Sequence, residues 1–575
     1  MLERFVNREI FDSYEDWKQN FRILTPARFN MAYDVVDAWA AEAPNKEALL
    51  WCNDFGDEVR LDWHTLSLLS ARYASALTQL GVRRGDVVMF LLKRRWQFWP
   101  LVIACMRVGC PFIPATHLLT AKDVAYRCNA ADVRLLLSVS DTEVLRHIDE
   151  ALPACKTVRA RAAVRCMPAA QTTLTASGQV SQSLSDGWAD WDKVVENIPD
   201  DEVASWLAVP RAERPAGEDT MLLYFTSGTT GQPKMVLHDY NHPLGHIVTA
   251  RYWQQLRPDD LHLSVSDTGW AKCGWGKLYG QWIVGVDNFV YDMEKFDPAF
   301  LLERLSHYRV TTFCAPPTIY RFLIHEDFAK YDLSALRRCL TAGEPLQPEV
   351  YSRWQSLTGL PITEGFGQTE GVVLCANYEG FPIRPGSMGK PSALYHIDLV
   401  DDEGQSVPAG TEGSLVIRNL DREIPPGLFR EYYRDPATTA AVWHDGMYYT
   451  GDVAYKDESG YFWYVGRSDD VIKCSGYRIG PFEVESALQE HPSVLECAVT
   501  AVPDPVRGQV VKATIVLARG YEPGDDLVHE LQEHVKKTTA PYKYPRIVEF
   551  VSELPKTVSG KIMRKDIRAA DERKG

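Results

Sequence analysis

Val87-Val88-Met89-Phe90-Leu91-Leu92 is a run of six apolar residues with no polar member to turn toward water. A strand of that kind has to be covered on both faces, the condition met in a parallel sheet flanked by helices. Its surroundings agree. Residues 59–63 read as a strand, after which Leu66, Leu69, Tyr73, Ala76, Leu77 and Leu80 recur at helical spacing, with Gly81 as the residue past the helix end. A second helical stretch ends near Gly109, before Pro111-Phe112-Ile113-Pro114, and Leu135-Leu136-Leu137 opens another strand. Strand and helix in alternation imply βαβ units with right-handed crossovers. The longest apolar stretch is broken by Lys93-Arg94-Arg95, so it is too interrupted to span a bilayer.

At 575 residues the chain exceeds what one core serves, and two or more domains are expected. Residues 159–220, richer in Ala, Ser, Gln and acids, read as a surface insertion with one or two helices against which Trp188 and Trp191 pack. From Met221 the α/β pattern resumes. The charged turn Gly466-Arg467-Ser468-Asp469-Asp470 marks a boundary, giving a core of residues 1–467 and a second unit of residues 468–575. In the latter, 499–502, 512–517 and 547–551 read as strands and 527–537 as a helix, enough for a small α+β domain with its own core. The expected class is α/β: a large N-terminal region of α/β subdomains with mostly parallel sheets, plus a small α+β C-terminal domain.

A formal net charge of -15 argues against a general affinity for nucleic acid, and any anionic ligand must be held by local groups. The twelve cysteines include no CxxC pair, which reads as reduced, buried thiols and neither a disulfide frame nor a zinc site. The N-terminus Met1-Leu2-Glu3-Arg4-Phe5 lacks the marks of a signal or transit peptide, so a cytoplasmic protein is expected. His238, His242 and His246 are spaced by four, but Pro243 interrupts them unless a helix starts there, and they read as structural.

Leu222-Leu223-Tyr224-Phe225 forms a short apolar strand that runs into Thr226-Ser227-Gly228-Thr229-Thr230-Gly231-Gln232-Pro233-Lys234. Hydroxyls beside glycines, closed by a lysine, make a polyphosphate cradle: backbone N–H groups approach oxygen atoms, hydroxyls donate, and Lys234 adds charge. It is not a Walker loop, because its lysine follows Gln-Pro and no Ser or Thr comes next. The string resembles the signature of the adenylate-forming (AMP-binding) superfamily of acyl-CoA synthetases, adenylation domains and luciferases. Further motifs of that superfamily follow in order: Gly343-Glu344-Pro345, Glu364-Gly365-Phe366-Gly367-Gln368-Thr369-Glu370, Tyr449-Thr450-Gly451-Asp452, Gly466 to Asp470, Ser475-Gly476-Tyr477-Arg478-Ile479, and Pro555 to Lys561. Within the superfamily, Ser266-Asp267-Thr268-Gly269-Trp270-Ala271-Lys272 and Ala540 to Arg546 are most similar to medium-chain acyl-CoA synthetases, with Phe366 where that group usually has Tyr.

The resemblance implies ATP, Mg²⁺ and coenzyme A as cosubstrates and cofactor, and a mobile C-terminal domain. A carboxylic acid is joined to AMP with loss of pyrophosphate, then passed to a thiol, that of coenzyme A or of a carrier protein. It further implies that Thr226, Ser227, Gly228, Thr229, Thr230, Gly231 and Lys234 hold phosphates. Gly343, Glu344, Pro345, Glu364, Gly365, Phe366, Gly367, Gln368 and Thr369 line the nucleotide, with Phe366 stacked on adenine. Asp452 takes the ribose hydroxyls with help from Arg467. Glu370, beside Thr226 or Thr229, is the metal ligand, and Lys561 bridges the carboxylate and the α-phosphate. Asp469 is the hinge. Ser475, Gly476, Tyr477, Arg507, Tyr542, Lys543 and Tyr544 are candidate coenzyme A contacts, although a basic-aromatic run such as 542–546 also suits a surface strand edge. Trp270, Gly367 and Arg478 are assigned to the acyl pocket. Acetate-specific relatives place Trp at the position of Gly367. Its absence here leads us to expect a pocket deeper than acetate needs, and a medium-chain, branched or aryl acid.

Overall fold

The structure, a computed structural model, describes residues 1–165, 184, 186–226, 232–344, 346–380, 382–474, 477–556 and 562–574. Val87–Leu91 is a fully buried strand, paired in parallel with Phe112–Pro114 on one side and Val133–Val139 on the other, as its unbroken apolarity requires. It belongs to an eight-stranded sheet. Thr220–Thr226 continues the parallel set beyond Phe112–Pro114, while Lys234–Asp239 and Glu431–Tyr432 complete that edge in antiparallel fashion. The helices between these strands obey local rules. Asp62 caps Trp63–Gln79 by accepting from the Thr65 N–H at 2.7 Å, and Phe98–Val108 stops at Gly109, whose φ of 80° is left-handed.

A nine-stranded sheet packs beside the first. Its centre is parallel, running from Ile362–Phe366 through Arg338–Ala342, Thr312–Cys314, Leu261–Ser264 and Asp287–Asp292 to Glu47–Asn53. A five-stranded antiparallel sheet follows, in which Met447–Lys456 pairs with Phe462–Arg467. The final sheet carries Ile472–Cys474, Tyr477–Ile479, Val494–Asp504, Gly508–Leu517 and Ile547–Phe550. It encloses its own core, with Ile472, Ile479, Leu488, Val499, Ile515, Leu531 and Val535 at the centre. Eleven cysteines lie among the described residues, all free and ten of them buried. Among the described residues no helix is long and apolar enough to cross a membrane.

One expectation needs correcting. Residues 159–220 are not simply a surface insertion, because Ala160–Val164 extends the eight-stranded sheet in parallel beside Val133–Val139, and Ala189–Asp190 adds its last strand. With arginine and three alanines among its five residues, this strand gave no apolar run to read. The expected helices are Trp191–Glu196 and Asp200–Leu207, and buried Trp191 meets Tyr73 edge-on at 5.1 Å.

Lys93-Arg94-Arg95, the cations that interrupt the apolar stretch, clamp the two large sheets together. Lys93 Nζ donates to Asp141 at 2.9 Å, just past Val133–Val139, and to Glu294 at 2.8 Å, just past Asp287–Asp292. Arg95 donates to Glu294 at 2.8 Å and to the buried Asp292. All of these lie at the carboxyl ends of parallel strands, the end at which open α/β sheets hold ligands. Removing one charge leaves its partner buried and underpaired. Asp292→Asn is therefore expected to lower the unfolding free energy of the N-terminal region by roughly 3 kcal/mol, read from urea unfolding followed by tryptophan fluorescence.

Candidate active site

Thr220–Thr226 and Lys234–Asp239 form an antiparallel hairpin in which Thr226 stands opposite Lys234. The hydroxyl-rich string is thus the loop of a hairpin whose two arms are part of a large sheet. Ser227, Gly228, Thr229, Thr230 and Gly231 lie outside the described residues. The second arm of the loop is pinned where Tyr126 donates its hydroxyl to the Pro233 carbonyl at 3.1 Å.

Glu431–Tyr432 pairs with Lys234–Asp239, Tyr432 facing Val236. The Tyr432 ring lies 4.8 Å from Lys234 Nζ, and its hydroxyl donates to Glu370 Oε1 at 2.8 Å. The backbone around Glu370 is fixed as well: its carbonyl accepts from Phe429 N at 2.7 Å, and the Thr369 carbonyl accepts from His238 Nε2 at 2.8 Å. His238 is buried, and burial lowers its pKa to about 4, so the ring stays neutral and its donor is fixed on Nε2. Lys234 and Glu370, 136 residues apart in sequence, are thus linked through Tyr432, which reaches the first over its ring and the second through its hydroxyl.

Gln368, two residues before Glu370, faces the third sheet. Its Nε2 donates to the Thr450 carbonyl at 2.9 Å and to Asp452 Oδ2, while its Oε1 accepts from the Tyr448 hydroxyl at 2.8 Å. Asp452 stands opposite Arg467 in the Met447–Lys456 hairpin, and Asp452 Oδ1 receives Arg467 Nη1 and the Tyr464 hydroxyl, each at 3.4 Å. Burial raises the Asp452 pKa, and Arg467 and Gln368 oppose the shift. Gly451 before it has φ of 75°, and a Cβ there would come within 2.6 Å of Arg467 Nη2, so this turn excludes a side chain twice over.

The nucleotide-side residues assemble from neighbouring strand ends. The Phe366 ring lies 5.9 Å from Tyr464, tilted by 40°. Gly365 abuts Trp253, with an added Cβ only 2.4 Å from that ring. Glu364 is buried, accepts from Leu346 N at 3.3 Å, and is pushed up to about 8 by burial. Gly343 turns with φ of 103°, and Glu344 Oε2 accepts from the Thr318 hydroxyl at 2.9 Å. Pro345 lies outside the described residues.

The acyl side departs from expectation. Gly367 has no side chain, but the space is not open: a Cβ there would lie 2.0 Å from Trp275 Cη2. Trp275 comes from Ala271–Lys277, the helix that starts directly after Trp270, and its ring fills the volume that the absence of a side chain at 367 was expected to leave free. Arg478 and Tyr477 are described by backbone alone, in the strand Tyr477–Ile479 opposite Lys473 and Cys474. Ser475, Gly476 and Lys561 lie outside the described residues. Of the other coenzyme A candidates, Lys543 Nζ pairs with Glu483, and the Tyr544 ring lies under Lys536 and Arg546 at 4.2 and 4.8 Å. Arg507 sits in the turn between Val494–Asp504 and Gly508–Leu517, its N–H on Asp504 Oδ1 at 2.7 Å, and Tyr542 is exposed. Asp469 is exposed, 3.8 Å from Arg467.

Residues 36–433 match the AMP-binding enzyme family, and residues 483–561 match the AMP-binding enzyme C-terminal domain. The chain belongs to the AMP-binding enzymes. Acyl-coenzyme A synthetase ACSM3, mitochondrial, of Pongo abelii is 41% identical over 574 residues, covering 98% of this chain and 93% of its own. Acyl-coenzyme A synthetase ACSM4, mitochondrial, of Mus musculus is 43% identical over 552 residues, covering 94% and 90%. The anthranilate CoA ligase AuaEII, solved with anthranoyl-AMP, superposes with a TM-score of 0.82 at 28% identity, covering 95% of this chain and 98% of its own. This AMP-binding enzyme is an ATP-dependent acyl-CoA synthetase, which joins a carboxylic acid to coenzyme A. The expectation of a cytoplasmic protein does not stand, since these relatives are named as mitochondrial. An organelle address is read by receptors, so the chemistry of the folded enzyme carries no record of it.

Sequence reasoning missed Tyr432, Tyr448, Tyr464 and Trp275. Tyr448 was within reach, because the alternation of a strand puts Tyr448, Thr450 and Asp452 on one face. No local signal points to Tyr432, whose role follows from pairing with a distant strand. The three histidines pack as a ladder. Rings 238 and 242 lie 3.9 Å apart and rings 242 and 246 lie 4.8 Å apart, and a helix begins at His242 with Pro243 in its first turn, where proline is tolerated.

His238 and His262 are both buried with pKa lowered to about 4 by desolvation, against 6.5 in the unfolded chain. Between pH 6.5 and 4 the unfolded state binds protons that the folded state refuses, so stability falls as pH falls through that window and is unaffected above it. Calorimetry is expected to show a lower Tm at pH 5 than at pH 7, and His262→Gln to flatten that dependence.

Proposed function

We propose that this enzyme activates a medium-chain, branched or aryl carboxylic acid, in a site closed by a C-terminal domain of residues 468–575 that moves about Asp469. The observation that carries the reading is the chain of contacts by which Tyr432 and Gln368 join Lys234, Glu370 and Asp452, from three separate segments.

Joining a carboxylate to ATP brings two anions together, so the site must neutralise charge on phosphate. Lys234 supplies a cation beside the loop of residues 226–234, whose hydroxyls and N–H groups hold the β- and γ-phosphates. Asp452 has two oxygens to accept the ribose hydroxyls, and Phe366 offers a face to adenine. Glu370, with Thr226, presents hard oxygen donors. Among the described residues no group of three or more His, Cys, Asp or Glu could hold a metal alone. A single carboxylate sharing the ion with a triphosphate suits magnesium, which would spread the charge of the phosphate oxygens. The acid's oxygen attacks the α-phosphorus and pyrophosphate leaves. Lys561 is assigned the charge between the two. The thiol sulfur then attacks the acyl carbon and AMP departs. In that step Gly476 is assigned the opening for the pantetheine arm, with Ser475, Tyr477, Arg507, Tyr542, Lys543 and Tyr544 around it.

Trp275 against Gly367 supports an acyl pocket whose depth is set by an aromatic wall, with Trp270 at the start of the same helix. The anthranilate ligase above and a benzoate CoA ligase from Burkholderia xenovorans, with a TM-score of 0.77 at 25% identity over 94% of this chain and 100% of its own, lend weight to an aryl acid as one option. Turnover of acetate, butyrate, octanoate and benzoate, followed by pyrophosphate release, tests the class. A clear preference for acetate overturns it. Each methylene is worth about 0.8 kcal/mol, or roughly fourfold in kcat/KM. Trp275→Ala is expected to move the optimum toward longer acids, and an unchanged profile counts against the pocket.

Lys561→Ala is expected to abolish adenylate formation while sparing thiolysis of supplied acyl-AMP. Equal loss of both half-reactions refutes the role given to that lysine.

A further inference from the structure

A site for a magnesium–triphosphate complex faces an electrostatic problem before its ligand arrives. It needs a free ammonium for phosphate and a free carboxylate for the metal, and such groups close together pair with each other unless something intervenes. Lys234 and Glu370 flank a single side chain, Tyr432. The ammonium rests 4.8 Å from the centre of the ring and the carboxylate is held at 2.8 Å by the hydroxyl. Among the described residues neither Lys234 nor Glu370 makes an ion pair.

We infer that Tyr432 is a positioning residue that keeps the phosphate-binding cation and the metal-binding carboxylate apart and available. Its ring face attracts Lys234 through the quadrupole, a contact that yields readily to phosphate. Its hydroxyl satisfies one oxygen of Glu370 and aims the carboxylate, leaving acceptor capacity for a cation. The tyrosine is itself held. It is almost fully buried, its N–H donates to the Thr439 hydroxyl at 3.0 Å, and its ring lies 5.1 Å from that of Phe429. The strand that carries it also carries no slack, because Phe429 N holds the Glu370 carbonyl and Tyr433 N holds the Met235 carbonyl, each at 2.7 Å. Strand pairing therefore fixes the spacer to the segment of Lys234, and the Phe429 hydrogen bond fixes it to that of Glu370.

The inference rests on the roles given to Lys234 and Glu370 above, and the experiment separates the two. Binding of ATP is measured by calorimetry with magnesium and again with EDTA, using the full-length enzyme and its Tyr432→Phe, Tyr432→Ala, Lys234→Ala and Glu370→Gln variants. Circular dichroism and the thermal melting midpoint report that each variant is folded. Tyr432→Phe keeps the spacer and loses the hydrogen bond to the carboxylate. It is expected to weaken magnesium–ATP by roughly tenfold, the effect of one hydrogen bond to a charged group, while metal-free ATP binds as in the parent. Tyr432→Ala also lets Lys234 collapse onto Glu370, and both forms of ATP should then bind more weakly. If Lys234→Ala and Glu370→Gln weaken magnesium–ATP but both Tyr432 variants bind it like the parent, the spacer role is overturned. If Lys234→Ala and Glu370→Gln bind like the parent, the reading of the site itself fails.

Discussion

The antiparallel return of Lys234–Asp239 along Thr220–Thr226, at the edge of an otherwise parallel sheet, is the constraint from which the site follows. A parallel strand would have carried the chain away through a helix. The hairpin instead brings Lys234 back to Thr226 and leaves the hydroxyl-rich loop between two fixed arms. Having turned, the strand exposes a further edge, and Glu431–Tyr432 uses it. Edges left open invite foreign strands, so closing one with the enzyme's own chain also protects the sheet. The stabilising solution and the functional one coincide, because the strand that closes the edge delivers Tyr432 to Lys234 and Glu370.

Around that hairpin, charge is handled by burial and pairing in different ways at different depths. Between the large sheets, Lys93 and Arg95 meet Asp141, Asp292 and Glu294 in a compensated cluster. At the end assigned to the ribose, Asp452 is buried against Arg467 and Gln368, so it is oriented but keeps acceptor capacity. At the end assigned to the phosphates, one charge lies over the Tyr432 ring and the other accepts from its hydroxyl. A fully paired cation or carboxylate would have to break its existing partnership before meeting a ligand, whereas one held by a ring face or a hydroxyl does so at much smaller cost.

The sequence was informative wherever one stretch of chain carries its own chemistry. Val87 to Leu92 announced a doubly covered strand, the spacing from Leu66 to Leu80 announced a helix, and Leu222 to Phe225 announced the strand that leads into the hydroxyl-rich string. It was weaker where the meaning of a residue depends on what comes to lie beside it. Ala160–Val164 is too small-sided to read as a sheet strand until Val133–Val139 is next to it. Gly367 looked like an opening because sequence reports the missing side chain and not Trp275, which arrives from 92 residues away to fill the gap. Tyr432 had no periodic or motif signal at all, since its role is defined by two partners it reaches only through strand register.

The Gly367 case bears on how such a pocket changes during evolution. Glycine there is required by the ring of Trp275, since any Cβ would collide with it, and Trp275 in turn needs the glycine for its ring edge to come so close. The two positions form one steric unit, and no side chain can be added at 367 while Trp275 keeps its place. A large residue at 367 must first displace Trp275, which in an interior packed at crystal-like density forces its neighbours off their rotamers. Truncating Trp275 leaves a hole that an acyl chain can fill, converting a stability cost into binding of a longer substrate. Under the proposed acyl-pocket assignment, the physical asymmetry favours change at Trp275 over change at Gly367 as the route to a longer acid.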